Sequence, residues 1–456
     1  MQELEQLPEP VEEQNTITSQ TIAKKKDAPG TSDFEAAVGM SRKWDARGAG
    51  REVAETAIRQ LHEPPSFFLL FSTIHYEKYG GFQEFLNGVW DVLPKGTPLI
   101  GGTVAGFMNN YGCYTRGCSA LAVSSLNIDV DVGVGYNTKR NPKKAVDSVF
   151  KKIGKKQKYD NNAIIEVLPT AVIPKIPGIG QKNVILSKKM GNAFLKLLPI
   201  MKKLNYGYDR ADDILNLLSD RFKNHTVIGG CTMDDNKMLR NYQFHSHNIE
   251  KNTLLTLNLS LPIKIYTVTI TGYKIQDKTF DINELSTDKH IVKKINGEGA
   301  RTALFDKLNL KIEEKDAVYQ LYKNAFYYPL GFKKENIWHA CMLGLIYGEN
   351  LIFANKVEDT TLTLLHLSIE NSIKKLNEEI NNLSKKNPSC VFGFACETFL
   401  ETLGKNIFNI QNSFKKFATP FLIPFVAGES IYTPEIGSHH LYESLNLIAF
   451  SKSTEN

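Results

Sequence analysis

Residues 97–106, TPLIGGTVAG, can be laid without a gap on residues 419–428, TPFLIPFVAG; Thr, Pro, Val, Ala and Gly coincide. The surroundings match as well. The apolar run SFFLLFST (66–73) precedes the first copy, and SCVFGFACE (389–397) precedes the second. Each copy then leads through a polar loop into an outgoing strand, LAVSSL (121–126) or LNLIAFS (445–451). A fold that uses one supersecondary unit near each end of the chain must place those units in related surroundings. Two weaker cousins lie between them. HTVIGGCTMDDN (225–236) leads to NTLLTLNLS (252–260), and HACMLGLIYGEN (339–350) leads to TTLTLLHLS (360–368). The pattern predicts an α/β (α+β layered) fold of two related halves, each with strand–helix–Gly turn–strand units. Their boundary falls near Leu261 and Pro262.

Periodicity fills in the elements. GREVAETAIRQLHEPP (50–65) reads as a helix stopped by Pro64 and Pro65, and 81–93 as an amphipathic helix. Residues 119–136 read as one long strand, and 142–152 as another helix. SKKMGNAFLKLLPIMKKL (187–204) is a basic amphipathic helix interrupted at Pro199; such a helix can touch a membrane surface or a partner, and its apolar face is expected to pack on its own domain. NEEINNLSKKN (377–387) reads as the solvated end of a helix. Residues 1–45 are polar and poor in aromatics, so a disordered tail is expected there.

At 456 residues, with 42% hydrophobic and 23% charged residues, the chain is long enough for more than one core. Its net charge of +6 is modest and well mixed, which argues against a dedicated nucleic-acid binder. Cys113, Cys118, Cys231, Cys341, Cys390 and Cys396 lack zinc-type spacing and read as free thiols in a reducing compartment. No secretory signal and no membrane span is legible, so a cytoplasmic location is expected.

In order along the chain, FFLLFST (67–73), PLIGGTVAGF (98–107), GCSALAVSSL (117–126), VGVGYN (132–137), VIGGCTMDD (227–235) and YQFHSHNI (242–249) resemble the N-terminal part of the FIST family. VFGFACE (391–397), PFLIPFVAGE (420–429) and HHLYESLNLIAF (439–450) resemble its C-terminal part. The resemblance divides the chain into a FIST N-like domain, 46–262, and a FIST C-like domain, 263–452. It implies a sensory, signal-transducing protein that binds a small ligand, with amino acids among the candidates. No kinase, methyl-accepting segment or F-box is recognisable beside it, so output is expected through a protein partner. The family's Cys followed three residues later by Arg looks like CETF (396–399), which keeps Cys396 and lacks the Arg. The family's His-Asn-x-Thr close looks like HLYES (440–444), with Ser444 nearest to Thr.

The candidate ligand-binding residues are Gly101, Gly102, Thr103, Gly106, Cys396, Gly428, Glu429 and His440. The glycines either expose backbone N–H groups to a polar ligand or only permit tight packing. Glu429 is placed to meet an amine, to cap a helix or to pair with a surface Lys. Glu349 follows the Gly348 of the weaker copy in the same way, His439 stands beside His440, and Asp234 and Asp235 hold a cation or end a turn. Cys396 is the one plausible nucleophile, with no recognisable base or nucleophile elbow, so binding is expected rather than catalysis. Neither a metal nor a cofactor is expected. The rival readings are a small-molecule enzyme using Cys396 and Glu429, and an interaction adaptor working through 187–204.

Overall fold

The run FFLLFST has no polar face, so as a strand it needs cover on both sides. In the computed structural model, Phe67–Thr73 is that strand, buried at every residue. Phe67, Leu69 and Phe71 enter a core shared by three sheets, while Phe68 and Leu70 lie in the cluster formed with two helices. The structure describes residues 34–451 except 155–156, 176–177, 179, 311–320, 322 and 324.

The unit around this strand runs in a regular order. Strand Glu35–Ser41, helix Ala46–Ile58, strand Phe67–Thr73, helix Gly81–Trp90 and strand Leu99–Val104 come first. The hairpin Gly106–Asn109/Gly112–Tyr114 and strand Cys118–Ser124 complete it. Its four long strands lie in the spatial order first, last, second, third. Strands Asp129–Tyr136, Asn161–Pro169, Thr226–Thr232 and Thr253–Leu261 repeat that order, with helices Pro142–Ile153 and Ala211–Arg221. So do strands Lys264–Thr271, Pro388–Cys396, Phe421–Val426 and Ser444–Ser451, with helices Ile369–Ser384 and Ile407–Lys415. The repeated units expected from the sequence are present, and the cousin at 225–236 is the heart of a full further copy. The cousin at 339–350 is not a copy. Its strands belong to a nine-stranded sheet, eight of whose strands are inserted between the first strand and first helix of the third copy; the ninth, Val184–Ile185, comes from the second copy.

Each copy gives its hairpin away. The first copy's hairpin pairs with Phe421–Val426, the second's (Gln243–His245/Asn248–Glu250) with Leu99–Val104, and the third's (Glu429–Thr433/Gly437–Leu441) with Thr226–Thr232. The exchange covers the third-strand edge of every copy, an edge that would otherwise expose unpaired backbone groups. Three backbone bonds close the cycle. Ala105 N–H donates to Phe425 O (3.0 Å), Ala427 N–H to Cys231 O (3.0 Å), and Met233 N–H to Thr103 O (2.9 Å). The inner faces of the three sheets meet in one core, where Phe71 lies 6.0 Å from Phe392 and 5.9 Å from Phe394, centroid to centroid.

Several expectations need correction. The tail does not extend to residue 45, because Glu35–Ser41 is an edge strand paired with Cys118–Ser124, and Asp45 caps the first helix through Gly48 N–H. Residues 35–41 look tail-like because they are small, yet Gly39 is small for a reason. A Cβ there would stand 2.0 Å from Val53 O. The rest of that expectation, residues 1–33, lies outside the described residues. The long strand 119–136 is two strands; the chain leaves the first sheet at an exposed Leu126 and enters the second at Asp129. The helix at 187–204 runs through Pro199 unbroken, as Lys188–Lys203. The hairpin exchange crosses residue 262, so the two halves are joined through one interlocked core.

Candidate functional site

The glycine cluster at 101–106 turns out to be packing. A Cβ on Gly101 would lie 1.7 Å from Leu70 O, one on Gly102 2.4 Å from Thr232 Cγ2, and one on Gly106 2.5 Å from Tyr114 O. Thr103 is fully buried, giving its N–H to Tyr242 O (2.9 Å) and accepting Tyr242 N–H at Oγ1 (3.0 Å). Gly102 and Thr103 pack the first copy against the second, and the glycines' close contacts account for their lack of a side chain.

The equivalent corner of the third copy is different. There Cys396, at the end of its strand, and Glu397, before the short helix Thr398–Leu403, line a cleft with Ala427 and Tyr442. The opposite wall comes from the two insertions: Ile173 and Tyr208 from residues 170–210, and Met342, Leu345 and Phe353 from the inserted sheet. The cleft is thus largely apolar, with two acidic residues in its lining, Asp234 and Glu397. Glu397 is 6% exposed, and its carboxyl makes no hydrogen bond or ion pair among the described residues. Burial, and Glu401 nearby, push it up to about 8.

Glu429 sits behind this wall rather than in it. Gly428, at φ +96°, turns the chain so that its own N–H donates to Glu429 Oε1 (3.2 Å). Ser444 donates to Glu429 Oε2 from Oγ (2.9 Å), and the Cys396 thiol reaches the same carboxyl. Complete burial holds Glu429 well above the carboxylate range, and burial beside Glu429 and Glu397 raises Cys396 as well. A neutral acid facing an un-ionised thiol is a hydrogen-bonded wall, not an activated nucleophile. His440 does not join them as a base. Its Nδ1 bonds Ser430 Oγ (3.0 Å), burial lowers it to about 4, and it lines a second, smaller cavity with Asp212, His339 and Lys356.

The remaining sequence candidates have structural duties. Asp234 ends a turn, taking the N–H groups of Lys237, Met238, Leu239 and Arg240, and Asp235 pairs with Lys237 (3.1 Å). Glu349 receives Arg301 (2.7 Å) and Lys188 (3.3 Å), and Arg301 and Thr302 hold it down at about 2. His439 bonds His339 (2.9 Å).

Three residues around the cleft escaped the sequence reading. Glu397 carried a signal, its place one residue past a strand end at a repeat corner. Lys139 is buried, bonds Thr170 O (2.7 Å) and Asn252 Oδ1 (3.2 Å), and is pushed down to about 8 by burial. Glu443 is buried with neither carboxyl oxygen hydrogen-bonded among the described residues, and its backbone is left-handed at φ +52°.

The model of the FIST N domain matches residues 66–298, just over half of the chain. The chain belongs to the FIST family. FIST domains are sensory and signal-transduction domains, and the match runs from the second strand of the first copy through the second copy into the start of the third. No curated protein matches the sequence. Among solved structures, the crystal structure of a cyanuric acid hydrolase from A. caulinodans is similar over 49% of this chain and 70% of that one. Identity there is 8% and the TM-score 0.26, so that likeness carries no argument about fold or activity. Among the described residues of this FIST protein, no helix is long and apolar enough to cross a membrane.

Proposed function

We propose that this FIST protein is a sensor whose cleft takes a small molecule with an apolar body and an amine, such as an amino acid or a related metabolite. The Glu397 carboxyl carries the reading, since it is buried, faces the cleft and lacks a partner among the described residues. A buried acid without a partner is costly, and a bound ammonium supplies the missing charge. The Met342, Leu345 and Phe353 wall takes the apolar part. We further read residues 263–452 as the FIST C-like part, the cytoplasm as the working compartment, and a protein partner as the receiver of the signal. The protonated Cys396–Glu429 pair speaks for binding over catalysis.

Calorimetric titration of the full chain with amino acids and aliphatic amines tests this. Glu397→Gln should weaken the best ligand by about thirtyfold or more, the lower range for removing one member of a buried charge pair. The Glu397 carboxyl must ionise to hold an ammonium, so affinity should rise about tenfold per pH unit from pH 6 toward 8. Ligands that bind equally to Glu397→Gln, or with no pH slope, would sink the proposal.

A further inference from the structure

The helix Lys188–Lys203 lies in the 170–210 insertion of the second copy and packs against the inserted sheet by one face. Gly191 is on that face, where a Cβ would stand 2.2 Å from Gly348 N, and the Phe194 ring lies 5.6 Å from Tyr347. Leu198 is buried beside them. At 100° per residue, this face is fully accounted for.

A second apolar stripe on the same helix has no cover. Met190, Ala193, Leu197, Ile200 and Leu204 follow one another at three- and four-residue steps, and all are exposed. Exposure reaches 49% at Met190, 55% at Ile200 and 64% at Leu204. Beside the stripe run Lys189, Lys196 and Lys203, seven residues apart, each exposed and without an ion pair among the described residues. The charge bias extends past the helix. From Val167 to Tyr208 the chain holds seven lysines and no Asp or Glu. A helix that only packs on its domain turns polar residues outward; this one turns Leu and Ile outward and flanks them with cations.

We propose that Lys188–Lys203 docks the protein on the surface of an anionic lipid bilayer. The Met190–Leu204 stripe enters the headgroup boundary, and Lys189, Lys196 and Lys203 meet the lipid phosphates and carboxylates. An unbroken apolar stripe edged by unpaired lysines matches that surface in both polarity and charge. The proposal stands apart from the identity of the cleft's ligand.

Flotation of the full chain with two vesicle preparations tests it, one of phosphatidylcholine and one with equal parts of phosphatidylcholine and phosphatidylserine. The protein should float with the anionic vesicles only, and added salt should release it. Reversing the lysine charges (Lys189→Glu, Lys196→Glu, Lys203→Glu) should reduce partitioning by about a hundredfold or more. Leu197→Ser with Ile200→Ser should also reduce it, and since these side chains are exposed the melting temperature should hold in both variants. Equal binding to neutral vesicles, no binding to either, or full binding by the lysine variant would overturn the proposal. Capture of a protein partner by the stripe without any vesicle binding would overturn it too.

Discussion

The first and third copies put the same backbone corner to opposite uses. Thr73 and Cys396 hold equivalent places, paired with Val104 and Val426 at the ends of their strands. In the first copy the corner is shut. Thr73 Oγ1 bonds both the N–H and the carbonyl of Gly117 (3.1 Å each), and Gly117 has φ +129°. In the third copy the residue just before the last strand, as Gly117 is in the first, is Glu443, and Glu429 and Glu397 act on it as neighbouring acids. The second copy places Asn252 there, at φ +51°. Glycine and asparagine accept a left-handed backbone at small cost, whereas glutamate does so at about 1 kcal/mol or more. A strained and unpaired acid at one corner of three is what a functional site looks like when the scaffold is repeated and the chemistry is not.

The comparison can be broken first at the closed corner's support. Gly101→Ala drives a methyl into Leu70 O, so a loss of about 3–5 kcal/mol in denaturant unfolding is expected, or failure to fold. A loss under 1 kcal/mol would show that the glycine cluster is not architectural. Glu443→Gly makes the third corner resemble the first. It removes a buried acid and relieves the left-handed glutamate, so stability at pH 7 should rise by about 2–3 kcal/mol. A fall in melting temperature would mean that Glu443 holds the corner together.

Glu166 sharpens the contrast within the second copy. It is fully buried, fills the space over Gly229, and is pushed up to about 7 by burial. A carboxyl whose folded pKa lies above its unfolded one favours the fold fully below about pH 4.5, and that contribution is lost as pH rises through 7. Glu166→Gln should therefore add about 1–3 kcal/mol at pH 8 and nothing of the kind at pH 4. Parallel stability curves for the two proteins from pH 4 to pH 8 would refute this.

Much of this was readable from residues alone. The gapless match of 97–106 with 419–428 is the structural one, because a strand end followed by a tight turn is encoded by neighbours in sequence. The same locality let Cys396 and Gly428 be named near the cleft. It also misled, since Glu429 was legible as the acid after a Gly turn, while Glu397 is the one that faces the cleft. The difference is which way a side chain leaves a turn, and that depends on Ser444 and Cys396, which are distant in sequence from one or the other carboxyl.

By itself, the sequence determined several of the strands and helices, the repeated turn and the family resemblance, all of which rest on period and short-range turn chemistry. The tertiary structure alone decided that the copies number three, that each gives its hairpin to another, and that one corner in three is left open and acidic. Those outcomes depend on backbone groups finding partners across hundreds of residues, and no local pattern records which edge will be nearest when the three sheets close.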